Sequence, residues 1–149
     1  VKCWGKGDEG QLGHGKQSDL KSPPSSAIEL GTGRTVTAIT AGNFHTCAML
    51  DNASIKCWGY NAYGQLGLGD TNNRDGTSEM GDNLPVVNLG SDRAARGISA
   101  GGSHTCAILD NSSIKCWGLN NSGQLGLGDN ITRGDGSNEM GDNLSIISL

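Results

Sequence analysis

Aromatic side chains are scarce in this chain: three Trp, two Tyr and one Phe, 4% of 149 residues. Tyr and Trp anchors carry much of the energy in protein–protein contacts, so the scarcity argues against a binder that works through an exposed aromatic rim. No run of about 18 apolar residues occurs, which excludes a membrane-spanning helix. Basic residues are not in excess. Eleven Lys and Arg face fifteen Asp and Glu, for a net charge of −4, which argues against nucleic acid and the basic stripe it requires. No C-x-x-C pair is present, so a zinc site lacks its usual ligand spacing. No secretion signal is visible. The chain opens inside a repeated unit, at Val1-Lys2-Cys3-Trp4-Gly5, and stops partway through another, so it is expected to be a segment of a longer protein.

What the chain has is glycine and repetition. Twenty-five glycines with only 34% hydrophobic residues disfavour long helices and suit short strands joined by tight turns. The stretch from Ala41 to Asn52 returns as Ala100 to Asn111. Each copy runs on into Ile-Lys-Cys-Trp-Gly and then Gly-Gln-Leu-Gly-Leu-Gly-Asp, and Cys47 to Cys106 and Trp58 to Trp117 are both 59 residues apart. A fixed period of this size marks a repeat architecture. The expected units are 1–34 (the tail of one), 35–93 (a whole one) and 94–149 (most of another). The first linker, Lys16 to Arg34, is shorter than its counterparts and carries Ser22-Pro23-Pro24-Ser25-Ser26, a change of the kind loops tolerate.

Within the whole unit, Thr35 to Thr40 alternates polar and apolar like a half-buried strand. His45 to Leu50 and Ile55 to Trp58 read as a hairpin around the turn residues Asp51-Asn52-Ala53-Ser54. Asp70 to Asn83 reads as a polar loop. Leu84 to Leu89 reads as a fourth, outer strand, since Pro85 cannot donate to a ladder. Four strands per unit with glycines at fixed offsets predict an all-β fold of antiparallel propeller blades.

The five cysteines carry the sharpest chemistry. With Asn52 at the hairpin centre, Cys47 stands opposite Cys57, and Cys106 opposite Cys116 by the same construction. Opposed residues in a non-hydrogen-bonded pair are close enough for a bridge. Cys3 aligns with Cys57, so its partner is expected outside the chain. Buried free thiols in a reducing compartment remain the alternative. Five Asn-x-Ser/Thr triplets, at Asn52, Asn111, Asn120, Asn130 and Asn143, are glycosylation candidates; Asn52 and Asn111 sit at hairpin tips where a glycan could project. Asp70, Asn72, Asp75, Glu79 and Asp82, with Asp129, Asp135, Glu139 and Asp142, supply hard oxygens of the type calcium takes. Their spacing departs from a calcium loop, so long turns built and solvated by acids and glycine are the preferred reading. His45 and His104 occupy one repeated strand slot; a catalytic nucleophile, base and orienter must instead converge. No catalytic residue and no cofactor are expected. Gly64 to Gly69 and Gly123 to Gly128 lack the lysine and following helix of a phosphate loop.

The string His-Thr-Cys-Ala-x-Leu-Asp-Asn-x-Ser-Ile-Lys-Cys-Trp-Gly-x-Asn-x-x-Gly-Gln-Leu-Gly-x-Gly resembles the regulator of chromosome condensation repeat, over essentially the whole chain. The resemblance implies a β-propeller, seven-bladed when complete, with Trp4, Trp58 and Trp117 packed between blades. It makes His45, His104, Gly64, Gly67, Gly123 and Gly126 structural repeat positions. Seven such units need roughly 400 residues, within the blade numbers of known propellers. Members that sense ultraviolet light carry tryptophan and arginine between the glycine and His-Thr. This chain has Asn43-Phe44 and Gly102-Ser103 there, which disfavours that mechanism. The paired cysteines resemble those of secreted members. The resulting expectation is an extracellular interaction module whose rigid blades display loops to another protein, to further blades, to glycans, or to other copies in a homo-oligomer, surface fibre or coat. A secreted inhibitor or regulator is the alternative, ahead of a small-GTPase exchange factor or a glycan-active enzyme.

Overall fold

Two three-stranded antiparallel sheets follow one another in a computed structural model that describes residues 1–148. The first holds β1 (Val36–Ala41), β2 (His45–Leu50) and β3 (Ile55–Gly59); the second holds β4 (Ala95–Ala100), β5 (His104–Leu109) and β6 (Ile114–Gly118). Each is a meander in strand order. The hairpin register is the one the turn chemistry dictates: Cys47 pairs with Cys57 and Cys106 with Cys116. At the tips, Asn52 Oδ1 accepts from the Ser54 amide and hydroxyl, and Asn111 repeats this with Ser113. These bonds hold Ala53 and Ser112 at φ of 62° and 67°, a region where side chains other than Asn, Asp and Gly are uncommon. A bulge at Thr37 and another at Arg96 shift the register of β1 on β2 and β4 on β5.

The expected fourth strand does not form. Two separate segments share the outer edge of β3. Arg74 exchanges a pair of backbone bonds with Gly59, and Val87 donates to Ile55. Between them the chain turns through two short 3-10 helices, Thr77–Glu79 and Gly81–Asn83. Those turns break the extended run before a ladder can build, so each blade has three strands and two points of outer contact. The third module repeats this with Arg133 on Gly118 and Ile147 on Ile114.

Strands β2 and β3 are buried on both faces, as strands are when a layer lies on either side, while β1 is half-buried to exposed. Ala48, Leu50 and Trp58 pack with Ile28, Leu30 and Leu84 on one face. Cys47, Ile55 and Cys57 pack with Leu109, Trp117 and Leu144 on the other. Trp58 and Trp117 are fully buried, but Trp4 is 56% exposed. The expectation that all three pack between blades therefore fails at Trp4. Each buried indole rests on a carbonyl from the module before it, Gln11 for Trp58 and Gln65 for Trp117.

Candidate functional site

Neighbouring modules meet at one repeated joint. The Gln11 carbonyl accepts from Thr46 Oγ1 at 2.8 Å and from Trp58 Nε1 at 3.0 Å. One module on, the Gln65 carbonyl accepts from Thr105 Oγ1 at 2.9 Å and from Trp117 Nε1 at 3.1 Å. The central strand of each sheet supplies the threonine, the following strand supplies the indole, and the tight Gly-Gln-Leu-Gly turn offers up the carbonyl. Glycine is obligatory in that turn. Gly67 has φ of 70°, and a Cβ there would stand 2.6 Å from Trp117 Nε1.

His45 completes the joint. Its Nε2 lies 2.9 Å from Thr105 Oγ1. That hydroxyl already donates its one hydrogen to Gln65, so it must accept from His45. The imidazole is thus neutral with its proton on Nε2, and Nδ1 is buried without a partner. Burial, followed by the nearby His104, pushes the His45 pKa down to about 4. Burial also lowers that of His104. Both histidines are strand residues, and the hydroxyl that His45 meets is itself bonded to the Gln65 carbonyl.

The disulfides Cys47–Cys57 and Cys106–Cys116 are formed, with Cα atoms 4.1 Å apart in each pair. Cys3 is a half-buried free thiol, its pKa raised by burial. Four of the five glycosylation candidates, Asn52, Asn111, Asn130 and Asn143, are exposed. Asn120 is fully buried. Its Nδ2 donates to the Asp129 carbonyl and carboxylate and to the Ile131 carbonyl, which leaves no room for a glycan in the folded chain.

Most of the acidic loop residues are occupied by internal donors; Asp135 instead has its pKa raised, by burial first and then by the neighbouring Glu139. Asp70 and Asp129 each pair with an arginine four residues on, at 2.7 Å, and each also accepts from a buried asparagine, Asn61 and Asn120. Asp75 accepts from Gln17. Glu79 and Glu139 accept backbone amides of their own turns. Asp82 binds Thr32 and Asp142 binds Ser91, each through both backbone and hydroxyl; those hydroxyl bonds lead the lowering of both carboxyl pKa values. Among the described residues, no three His, Cys, Asp or Glu side chains gather to hold a metal ion. The loops are turns braced from within.

The feature that composition argued against is an aromatic cluster on one rim. Phe44 lies at the β1–β2 turn, Tyr60 follows β3, and Tyr63 sits in the next turn. Phe44 meets Tyr60 edge to face at 6.2 Å, and Tyr60 meets Tyr63 likewise at 6.2 Å. Phe44 and Tyr63 are each 40% exposed. In the third module the same three positions hold Ser103, Leu119 and Ser122, and that module folds the same way. The fold therefore does not need these aromatics. Comparing the two copies position by position is the sequence signal that reveals them, where the overall count hides them. A cavity of about 470 Å³ opens beside Trp4, lined also by Lys2, Leu12, Ile39, Asn43 and His45.

Comparison with known proteins agrees with this architecture. Residues 3–49 and 57–108 match the regulator of chromosome condensation (RCC1) repeat, and residues 36–65 and 95–124 match a second description of the same repeat. The chain is 36% identical over 136 residues to the ultraviolet-B receptor UVR8 of Arabidopsis thaliana, covering 89% of this chain and 28% of that protein. It is 32% identical over 100 residues to the probable E3 ubiquitin-protein ligase HERC3 of Homo sapiens, covering 67% of this chain and 9% of that protein. Among solved structures, Prp20p of Saccharomyces cerevisiae superposes with a TM-score of 0.71 at 17% identity, covering 99% of this chain and 34% of that one. Human WBSCR16 superposes with a TM-score of 0.71 at 22% identity, covering 89% and 31%. The chain thus spans between a tenth and a third of the length of these relatives.

Proposed function

The chain belongs to the regulator of chromosome condensation repeat family, and on that footing we propose that it is a β-propeller interaction module that works outside the reducing cytosol and binds a protein partner through the rim of Phe44, Tyr60 and Tyr63. The rim is the observation that carries this reading. Exposed, mutually packed aromatics bring large contact area at little cost in conformational freedom, and such residues are enriched among binding hot spots. Their absence from the third module, whose fold is the same, leaves recognition as the reason for them. A protein partner is also the class named for a structural neighbour: the structure of Prp20p is described together with its binding to Gsp1p and histones.

The cross-strand bridges support the extracellular part of the proposal, since structural disulfides persist in oxidising compartments and are rare in the cytosol. They also support rigid display. The Cys47–Cys57 bridge crosslinks β2 to β3, which lie between two packed layers and lead into the rim loops. The aromatic rim favours a binder or regulator over a purely architectural blade.

The test uses the oxidised chain and a variant in which the rim takes the third module's residues, Phe44→Ser, Tyr60→Leu and Tyr63→Ser. Chemical crosslinking in the extracellular medium of the source cells should join the parent to one predominant protein, through residues bordering the rim, and the variant should lose that product. Equal crosslinking by both, or crosslinks that map away from the rim, would sink the reading.

A further inference from the structure

Each outer loop carries one Asp-Gly pair, Asp75-Gly76 in the second module and Asp135-Gly136 in the third. In such a pair the side-chain carboxyl and the next amide nitrogen can close into a cyclic imide, and glycine puts no side chain in the way. Closure has two requirements. The carboxyl must be protonated, so that its oxygen leaves as water, and a base must draw the hydrogen from the nitrogen. The third module meets both. Glu139 Oε2 accepts the Gly136 amide at 2.8 Å and the Gly134 amide at 3.0 Å, within the reach a general base needs. Asp135 shares a hydrogen bond with the same carboxyl group. Burial and then Glu139 raise the Asp135 pKa. Burial raises Glu139 too, but the Gly136 amide, Asp135 and the Gly134 amide outweigh it and leave its carboxyl below its ordinary value. Two neighbouring carboxyls pushed apart in this way are the mark of an acid and a base. Arg133, the cation that acts on Asp135, is engaged with Asp129 at 2.7 Å. In the second module Glu79 Oε2 accepts the Gly76 amide in the same way, at 2.8 Å. There, however, Asp75 Oδ2 accepts a bond from Gln17 Nε2 at 2.6 Å, which favours the ionised carboxylate. Thr71 stands in the place of Gln17 one module on, and among the described residues no side chain of the second module donates to Asp135.

We propose that Asp135-Gly136 is a self-modification site, at which Asp135 and Gly136 close to a succinimide with Glu139 as the base and the ring then opens in part to isoaspartate. The bond that forms joins Gly136 N to Asp135 Cγ, and the bond that breaks is that of Cγ to its hydroxyl oxygen. Glu139 takes the amide hydrogen and returns it to the departing oxygen, which leaves as water. Nothing is oxidised or reduced, and Glu139 is restored. Water then adds to one or the other ring carbonyl. One course gives back aspartate, and the other leaves isoaspartate, with the main chain routed through the former side chain. The extra main-chain carbon falls on the joint between the second and third modules. The Gly134 carbonyl accepts from the Gly69 amide at 3.1 Å, and Gly64 lies so close beneath Gly134 and Asp135 that a Cβ there would collide with their backbone. A lengthened backbone at Asp135 cannot keep both contacts, so the modification loosens that joint.

The site shares no residue with the aromatic rim, so the two proposals fail separately. The two Asp-Gly pairs of one molecule serve as each other's control. The oxidised, folded chain is held in warm neutral buffer and sampled over time, and peptide mapping by mass spectrometry reads, at each pair, the loss of one water and the isoaspartyl product. Asp135-Gly136 should convert faster than Asp75-Gly76. In urea the two pairs should convert at one rate, in parent and variant alike. Glu139→Gln keeps an oxygen for both amides but is no base, and circular dichroism confirms that it folds. It should slow conversion at Asp135-Gly136 about 100-fold, the low end of what a positioned general base contributes. A loop merely loosened by the change would convert faster, so the sign separates loss of the base from a structural effect. Equal rates at the two pairs in the folded chain, a rate at Asp135 that Glu139→Gln leaves unchanged or raises, or faster conversion at Asp135 in urea than in the folded chain would each overturn the proposal.

Discussion

His45 Nε2 donates to the Thr105 hydroxyl across 2.9 Å, and that hydroxyl donates onward to the Gln65 carbonyl. One threonine thus ties three segments from two modules, and the neutral imidazole donates to it without placing a hydrogen on its other nitrogen. Nδ1 faces no acceptor, so a second proton there would be buried unpaired.

The consequence is a pH dependence with a fixed sign. Histidine ordinarily titrates near 6.5, and His45 is pushed down to about 4. Between those values the unfolded chain binds a proton that the folded chain refuses. Stability from this residue is complete above about pH 6.5 and declines as the pH falls toward 4, by up to about 1.4 kcal/mol per unit. His104 shifts in the same direction and adds to the slope. Urea midpoints at pH 7.5 and 5.0 measure it, and His45→Gln should flatten the difference. A midpoint unchanged from pH 7.5 to 4.5 would contradict this account.

Cysteine accessibility separates the five thiols. In the folded, unreduced chain an alkylating reagent should modify Cys3 alone. After reduction, all five should react. Each bridge closes a loop across a sequence separation of 10, worth about 2–3 kcal/mol in the chain-entropy model, so reduction should lower the urea midpoint markedly. Labelling of Cys47 or Cys106 without reductant would reject the crosslinks.

The three tryptophans should respond unequally to the same substitution. Trp117→Phe removes the Nε1 donor from the Gln65 carbonyl and opens a small void, for a cost of about 1–3 kcal/mol. Trp58→Phe does the same at Gln11. Trp4→Phe touches an exposed ring and should change stability by less than about 0.5 kcal/mol. Equal losses at all three sites in the monomer would disprove the difference in packing.

Glycan mapping on material from a eukaryotic secretory host should divide the Asn-x-Ser/Thr sites by burial. Asn52 and Asn111, exposed at hairpin tips, are the expected acceptors. Asn120, whose amide nitrogen has three acceptors and no solvent, should be unmodified in folded protein. Glycopeptides carrying Asn120 from a natively folded fraction would contradict the buried placement.

Much of the architecture could be read directly from the residues. The hairpins around Asn52 and Asn111, the opposed cysteines and the glycine turns follow from local rules: turn chemistry sets register, and register sets which side chains face each other. What local rules missed depends on partners distant in sequence. Leu84 to Leu89 has a strand's composition, yet the 3-10 turns at Thr77–Glu79 and Gly81–Asn83 and the prior contact of Arg74 with Gly59 limit it to a single bond with β3. Trp4 has the same neighbours in sequence as Trp58, yet it is 56% exposed where Trp58 is buried, because what covers an indole lies far from it along the chain. The aromatic rim was hidden by averaging, because three residues concentrated in one module scarcely change the composition of the whole chain.

The arginine clamps have a consequence for cleavage. Arg74 and Arg133 hold Asp70 and Asp129 and also bond the carbonyls of their own loops. A trypsin-like protease must draw an extended stretch of backbone into its cleft, and here the target side chain is already engaged and the backbone beside it is bridged to Gly59 or Gly118. Lys16 and Lys21 stand exposed in the proline- and serine-rich linker, with no such brace. Limited digestion would therefore open the first linker and leave the two complete sheets joined, so the same internal pairings that shape the loops also decide where the molecule can be cut.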